Sequence, residues 1–142
     1  MQRKIEFRGK RIDDGKWVHG SYTSMREKNR NNPFCQVESK IFHRIWQWED
    51  GDWNMGGYAN YEVIPETVGQ YTGLKDKNGV KIYEGDIIEH TISGNISVHE
   101  VYFDNEMLEF GLRYSGELFH CQFNDEFELV GNIHDNPELL NK

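Results

Sequence analysis

Cysteines, prolines and long apolar runs are all scarce in this chain of 142 residues, which has two cysteines and three prolines. Cys35 and Cys121 lie far apart and belong to no Cys-x-x-Cys or Cys/His cluster, so they indicate neither a redox motif nor a structural zinc site. No apolar run approaches the length that crosses a bilayer, and the first residues lack the apolar core of a signal peptide. We therefore expect a reduced, cytoplasmic protein with no membrane association.

Basic side chains are in the minority, with 16 basic against 24 acidic residues and a formal charge of −8. This charge repels phosphate backbones and anionic membranes. One stretch near the start is locally basic and could contact phosphate through Arg3, Lys4, Arg8 and Lys10. Because these residues alternate with Ile5 and Phe7, we favour the solvated face of a strand, and nucleic-acid binding is the less favoured alternative.

Motifs that would indicate catalysis or cofactor binding are also missing. The sequence has no G-x-S-x-G elbow, no phosphate-binding G-x-x-x-x-G-K-[ST] loop and no G-x-G-x-x-G spacing. None of its six histidines is paired at the i, i+4 spacing of a helical zinc site. We predict a protein that is not an enzyme and that has no cofactor.

The stretch Asp50-Gly51-Asp52-Trp53-Asn54 begins like a calcium-binding loop, with oxygen ligands at alternate positions. The sixth position is Met55, where the loop requires glycine. The twelfth is Tyr61, where a bidentate glutamate is required. We predict an acidic surface turn and no metal site.

The apolar residues that are present recur at every second position, in short runs broken by glycine, asparagine and aspartate, which predicts a mainly β protein of short antiparallel strands. Asp14-Gly15 indicates a first hairpin. Residues 24–33 are polar and end in proline, so we predict an exposed loop there, with strands resuming over 34–48. These features define an N-terminal β subdomain over residues 1–69.

Residues 70–142 form a second predicted subdomain. Five short strands follow Gly85, and their regular spacing favours a small coiled or barrel-like sheet. Ile96 is out of phase with Val101, which predicts a bulge near residues 99–100. The tail DNPELLNK predicts a short C-terminal helix with Asn136 as its N-cap. We expect the two subdomains to form one compact domain.

The stretch QYTGLKDKNGVKIYEGDIIEHT, residues 70–91, contains two turn signals. Asn78 and Gly79 tolerate positive φ and predict a tight reversal, and Gly85 with Asp86 predicts a sharp bend whose carboxylate accepts a backbone N–H. The alternative is that Glu84 and Asp86 present two carboxylates for acid–base chemistry. We favour the structural interpretation, because turn chemistry accounts for every residue of the motif.

Three tryptophans, Trp46, Trp48 and Trp53, lie within eight residues of one another. Large aromatic side chains of this kind pack in a core, stack on bases or anchor an interface. Few basic residues lie near them in the sequence, which disfavours base stacking. We interpret them as packing residues or interface anchors.

Three segments carry a resemblance to a known family: KIEFRGKRIDDGKWVHGSY, IPETVGQYTGLKDKNGVKIYEGDIIEH and ELVGNIHDNPELL. In this order they are similar to signatures of the YopX family of bacteriophage and prophage proteins. The resemblance implies coiled antiparallel sheets that include an SH3-like barrel, expected over residues 70–142, in a protein of the bacterial host cytoplasm. It implies no known reaction, and residues 24–60 depart from the family pattern.

These observations predict a non-enzymatic phage accessory protein that acts through protein–protein contacts, as a homo-oligomer or with a phage or host protein. The main alternative is a nucleic-acid-associated module that uses the basic N-terminal strand and the small barrel. A third alternative treats the acidic surface as a decoy for a host DNA-binding protein.

Overall fold

The computed structural model describes residues 2–27, 40–114, 117–119 and 126–141. These residues form short antiparallel strands joined by turns, so the prediction of a mainly β fold is confirmed. The chain divides into two compact units. One unit is Glu6–Val68, and the other combines Met1–Ile5 with Gly69–Lys142.

The unit Glu6–Val68 contains four strands, each antiparallel to the one before it. They are β1 (Phe7–Lys10), β2 (Trp17–Glu27), β3 (Lys40–Glu49) and β4 (Gly57–Glu62). Ile45 in β3 lies opposite Tyr22 in β2 and Tyr61 in β4, and it is fully buried. Because alternate residues of a strand point to opposite faces, this register defines an inner, apolar face.

The sheet of this unit curls until its fourth strand meets the end of its first. Val63 pairs with Arg11, and the Ile64 N–H donates to the Lys10 carbonyl oxygen at 2.9 Å. The Ile12 N–H donates to the Glu62 carbonyl oxygen at 3.0 Å. The curled sheet encloses a core on its inner face, built from Val18, Ile45 and Val63 and packed by Phe7, Tyr22, Tyr61 and Val68.

The loop predicted over residues 24–33 is wrong for its first four residues, which continue β2. Thr23 pairs with Arg44, and Glu27 pairs with Lys40. Residues 24–26 are exposed on both faces of the strand, and main-chain pairing with β3 maintains it. Residues 28–33 lie outside the described residues.

The second unit begins with a hairpin of β5 (Gly69–Lys75) and β6 (Lys81–Tyr83). Five further strands follow in one sheet with the order β10-β9-β8-β7-β11. They are β7 (Asp86–Ile92), β8 (Asn95–Asp104), β9 (Glu109–Tyr114), β10 (Glu117–Phe119) and β11 (Glu128–Asn132). The core contains Ile82, Ile88, Val101, Leu112 and Phe127. In the part of the chain that the structure describes, β10 and β11 stand at opposite ends of the order and do not close the sheet.

The bulge predicted near residues 99–100 is wrong. The pairing of β7 with β8 is regular from Ile87 opposite Glu100 to Ile92 opposite Asn95. The change of phase arises because His99 occupies the inward position, opposite Ile88 and 5% exposed, while Ile96 is 65% exposed. The register shift in this sheet lies instead between β11 and β7, at Leu129 and Gly131.

The C-terminal helix is a 3-10 helix over Pro137–Asn141, which corrects the expectation of a short regular helix. The Leu139 N–H donates to the Asn136 carbonyl oxygen at 3.1 Å, an i to i+3 bond. A segment of five residues is too short to gain the i to i+4 ladder of an α-helix. Across the described ranges, no helix is long and apolar enough to span a membrane.

Candidate functional site

The hairpin of β3 and β4, residues 40–62, has an aromatic face opposite its core face, and we call it the tryptophan hairpin. Ile45 and Tyr61 point to the core. On the outer face, Trp46 lies opposite Asn60, and Trp48 lies opposite Tyr58. The period of two along β3 therefore places two of the three clustered tryptophans on the outside of the sheet.

The two strand tryptophans are held differently. Trp46 is half-buried, and its indole N–H donates to Thr23 Oγ1 at 3.0 Å. Trp48 is 53% exposed, its indole N–H donates to Asp50 Oδ1 at 3.0 Å, and its ring meets Tyr58 edge-on with centroids 5.2 Å apart. Trp46 is thus a packing residue of the sheet, whereas Trp48 presents its surface to solvent.

The tip of the hairpin projects apolar side chains into solvent. Trp53 is 94% exposed and Met55 is 81% exposed. Trp53 has φ 61°, in the left-handed region that costs a bulky residue about 1 kcal/mol or more, and it precedes Asn54 at φ 57°, a residue type that tolerates this region. The tip therefore combines backbone strain with an exposed indole, and neither feature stabilises the isolated chain.

The stretch that begins like a calcium-binding loop, for which we predicted an acidic surface turn, is this same tip. The Asp50 carboxylate accepts the indole N–H of Trp48. No three side chains of histidine, cysteine, aspartate or glutamate come together as a metal site in the described ranges. The acidic residues of the tip flank the exposed apolar ones.

The predicted turn motif lies in the second unit and takes positive φ at both glycines, 80° at Gly79 and 86° at Gly85. Gly85 donates its N–H to the Val101 carbonyl at 2.8 Å and accepts from the Ile133 N–H at 2.9 Å. It therefore joins three segments of the unit through main-chain bonds. A side chain at this position would be strained by the left-handed backbone.

Asp86 is 1% exposed and accepts the Tyr83 N–H at 2.7 Å across the bend. This carboxylate therefore caps the bend from within the unit. Its neighbour Glu84 is half-buried, and burial raises the pKa of its carboxyl group. The geometry of this pair is that of a main-chain support rather than two carboxylates facing a cleft.

Asp76 is the residue of this region that the sequence interpretation missed. Its Oδ1 accepts the N–H groups of Asn78 and Val80, each at 2.9 Å, and its Oδ2 accepts the Leu129 N–H at 3.0 Å. Burial raises the pKa of Asp76, but these three bonds outweigh burial and leave it below its usual value. Asp76 thereby ties the Asn78-Gly79 turn to β11.

The four basic residues of the N-terminal stretch are divided between the two units. Arg8 is 8% exposed, with its guanidinium 4.6 Å from the Trp17 ring, and the Lys10 ammonium lies 5.6 Å from the same ring. Arg3 and Lys4 belong to the other unit, where Arg3 lies over Phe110. The expectation of a solvated strand face is wrong for Arg8, because Trp17 covers it.

Two further cations lie on the outer face of the tryptophan hairpin. Lys40 and Arg44 each lie 4.7 Å from the ring of Phe42. Lys40 also forms an ion pair with Glu62 at 3.3 Å. The outer face of the curled sheet therefore combines aromatic rings with cations stacked on them.

A family model described as YopX protein matches residues 6–141. The chain belongs to the YopX family. This YopX protein is also similar to the crystal structure of protein EF1440 from Enterococcus faecalis, with 25% identity, a TM-score of 0.57 and coverage of 98% of this chain and 99% of that chain. No curated protein matches the chain. The resemblance that the sequence motifs indicated is confirmed.

The sequence interpretation also missed Met55 and Tyr58 as parts of the aromatic surface. Tyr58 is 68% exposed and lies beside Trp48. The signal that could have found it is the register, because a hairpin with its turn between Glu49 and Gly57 brings Trp48 and Tyr58 opposite each other. The apolar pattern of β4 alone, GYANYE, does not reveal which face is exposed.

Proposed function

We propose that this YopX protein is a non-enzymatic phage or prophage accessory protein of the bacterial cytoplasm that acts through protein–protein contacts, first of all with copies of itself. The proposed contact surface is the tryptophan hairpin. The observation that carries the proposal is the exposure of four large apolar side chains on this one hairpin, which range from 53% to 94% exposed: Trp48, Trp53, Met55 and Tyr58.

The residue types of this surface support a protein interface. Tryptophan and tyrosine are enriched among the side chains that contribute most to protein–protein binding, and methionine adapts to irregular partners. An indole held out by a strained turn is unfavourable in the isolated protein, since exposed apolar surface and left-handed backbone both cost free energy. Burial against a partner would recover the apolar part of that cost.

The charge pattern favours a second copy as the partner. The chain carries a formal charge of −8, so two copies repel each other over most surfaces. Residues 53–61 of the hairpin include no charged side chain. Two like-charged molecules can therefore approach at this segment with little electrostatic cost.

The SH3-like barrel implied by the family resemblance belongs to the same proposal. Its support is the run of five antiparallel strands from β7 to β11 around one apolar core. Closure requires main-chain contact between Glu117–Phe119 and Glu128–Asn132. Amide cross-peaks between these two strands in an NMR spectrum would establish closure, and their absence would exclude it.

The proposed function is tested by Trp53→Asn, with Leu108→Asn as the matched control. Both residues are exposed apolar side chains at left-handed φ, 61° and 56°, where asparagine is tolerated. We expect Trp53→Asn to weaken self-association by about ten-fold or more, because it removes a large anchor. We expect Leu108→Asn to leave it unchanged.

Self-association is measured by sedimentation velocity and by native mass spectrometry of the wild type and both variants, with melting temperatures to confirm folding. A wild type that stays monomeric at about 100 μM and purifies without a protein partner would contradict the proposed function. Equal association of all three proteins would show that the tip of the hairpin is not the contact.

A nucleic-acid role is the second candidate, favoured by the cations that stack on rings of the outer face. Lys10 lies over Trp17, while Lys40 and Arg44 lie over Phe42. Single-stranded nucleic acids bind to surfaces that combine aromatic rings with cations. The formal charge of −8 opposes this candidate, and the two candidates predict opposite responses to salt.

A further inference from the structure

Strand β4 is an edge strand whose outer hydrogen-bonding groups can be identified from the register. The Val63 N–H donates to the His43 carbonyl at 2.9 Å, so alternate residues of β4, including Tyr61 and Ala59, bond to β3. The N–H and C=O groups of Tyr58 and Asn60 therefore point away from β3. No other strand of the described residues pairs with that side of β4.

The open part of this edge has a defined limit. The Glu62 carbonyl accepts the Ile12 N–H, which blocks the edge at its C-terminal end. Beside this block lies a cleft of about 300 Å³, lined by Ile12, Asp13, Asn60, Tyr61 and Glu62. An added strand can therefore pair with β4 only N-terminal to Glu62.

The edge lacks the devices by which proteins protect an exposed strand. β4 pairs with β3 in unbroken register over six residues, so it has no bulge. Residues 57–61 include no proline, lysine or other charged side chain. Edges of this kind pair with further strands.

We propose that two copies of the chain associate through antiparallel pairing of β4 with β4, in the register that places Tyr58 opposite Asn60 of the second copy. This inference rests on the proposed function, since it specifies how the self-association forms. The contact is isologous, so each free N–H and C=O group of one copy meets its counterpart in the other. The result is one continuous sheet across the dimer.

The register follows from which main-chain groups are free. When Tyr58 pairs with Asn60 of the second copy, the outward N–H and C=O groups of the two residues bond to each other. The two-fold axis repeats this pair on its other side. Pairing Asn60 with Asn60 would instead bring Tyr58 opposite Glu62, whose carbonyl already binds Ile12. Pairing Tyr58 with Tyr58 would bring Asn60 opposite Gly56, which precedes β4, so the register that uses only open groups within β4 places Ala59 on the axis.

The side chains are compatible with this register. Ala59 would face its own copy in a non-hydrogen-bonded pair, where Cα atoms lie about 4.5 Å apart and two alanine side chains fit without a clash. The hairpin tip with Trp53 and Met55 would then lie beside the cleft of the second copy, next to Ile12, which is 55% exposed. Edge, tip and cleft form one self-complementary surface.

The first test is Asn60→Pro, with Asn60→Ala as the matched control. The Asn60 N–H points away from β3, so proline removes a donor of the dimer without removing a bond between β3 and β4, and edge strands accept proline. Alanine changes the side chain but keeps the N–H. By sedimentation velocity we expect Asn60→Pro to weaken dimerisation by at least about ten-fold and Asn60→Ala to change it less than about three-fold.

A second test traps the register and does not depend on the folding of the proline variant. The variant Ala59→Cys is made in a background with Cys35→Ser and Cys121→Ser. In a buffer of reduced and oxidised glutathione it should form a disulfide-linked dimer, because the Cα atoms of position 59 in the two copies lie at a distance that fits a disulfide. Tyr58→Cys is the control. In the proposed register, position 58 of one copy and position 58 of the other are offset by two residues along the paired strands. Their Cα atoms then lie beyond the roughly 7 Å limit for a disulfide.

The outcomes separate this inference from the proposed function. A cross-link at position 59 but not 58, with loss of the dimer in Asn60→Pro, supports the β4 pairing. If the wild type associates but Asn60→Pro has wild-type affinity, or if position 58 cross-links instead, the pairing is wrong and the proposed function stands. A wild type that is monomeric at about 100 μM overturns the pairing, and one that also purifies without a protein partner overturns both.

Discussion

At the scale of single residues, a side chain of this protein contributes most when it satisfies main-chain donors in a turn. Asp76 binds three N–H groups with its two carboxylate oxygens. Asp14 uses its Oδ1 to accept one N–H, from Lys16 at 2.9 Å, and to meet Arg11 Nε at 3.4 Å. The difference decides which of the two aspartates an asparagine can replace, since an asparagine has only one accepting oxygen.

We predict that Asp76→Asn lowers the free energy of unfolding at pH 7 by about 1–3 kcal/mol. The amide has one accepting oxygen, so either the Leu129 N–H or the N–H groups of Asn78 and Val80 lose their acceptor. Asp14→Asn is the control and should change it much less than Asp76→Asn does, because its amide oxygen can still accept the Lys16 N–H and the exposed ion pair with Arg11 contributes little. Urea unfolding followed by circular dichroism measures both. A cost at Asp14 as large as that at Asp76 would contradict the role assigned to the second oxygen of Asp76.

The stabilisation by Asp76 also depends on pH. The pKa of Asp76 is lowered in the folded protein, so the unfolded state takes up its proton first as the pH falls. The stabilisation is therefore fully present above the unfolded pKa of about 4 and is lost as the pH falls through the folded pKa. The difference in stability between the wild type and Asp76→Asn should shrink in that window.

The sequence predicts residue roles well only where the chemistry is local. Gly79, Gly85 and Asp86 were identified because a bend needs positive φ or a nearby acceptor. The bond between Asp76 and Leu129 spans 53 residues, and no local pattern reveals it. His99 was missed for a related reason, since burial of an imidazole opposite Ile88 depends on the strand register.

At the scale of elements, β2 and β3 approach each other closely at Gly20. A Cβ atom built on Gly20 would lie 2.0 Å from the Trp46 carbonyl oxygen. Main chain cannot move away without breaking the ladder that holds the tryptophan hairpin. The glycine is therefore required by packing.

We predict that Gly20→Ala lowers the free energy of unfolding by about 2 kcal/mol or more, because the clash is with main chain rather than a flexible side chain. Gly57→Ala, in β4 of the same curled sheet, is the control, since its added Cβ would meet nothing within 4 Å. Thermal and urea unfolding measure both variants. If Gly20→Ala is as stable as Gly57→Ala, the close approach of β2 and β3 is not required.

Alternation of apolar residues was sufficient to predict the strands, but not their lengths or neighbours. The first four residues of the predicted loop continue β2 because main-chain bonds to β3 hold them, and a polar sequence does not exclude such bonds. The exposed face of the tryptophan hairpin likewise depends on how β3 and β4 register. The sequence grouped Trp46, Trp48 and Trp53 as packing residues or interface anchors without distinguishing them. The strand register brings Trp46 against β2, which makes it a packing residue.

At the scale of the whole molecule, the formal charge of −8 acts on any association. Two copies that meet through the uncharged residues 53–61 still carry like charges around the contact. Salt screens that repulsion, with a Debye length of about 10 Å at 0.1 M and about 3 Å at 1 M. Added salt therefore raises the affinity of an interface of this kind, while it lowers the affinity of a contact between cations and phosphate.

We predict that the dimer dissociation constant stays constant or falls as NaCl rises from about 50 mM to about 500 mM, because screened repulsion favours the pairing of acidic molecules. Sedimentation velocity over this range measures it. Binding of a fluorescent oligo-dT strand, followed by polarisation, provides the comparison, since each phosphate contact of a single strand weakens with a slope of about −0.7 in log K against log salt. A dimer that dissociates as salt rises would show that ion pairs, such as those available to Lys40 and Arg44, hold the copies together rather than the neutral edge of β4.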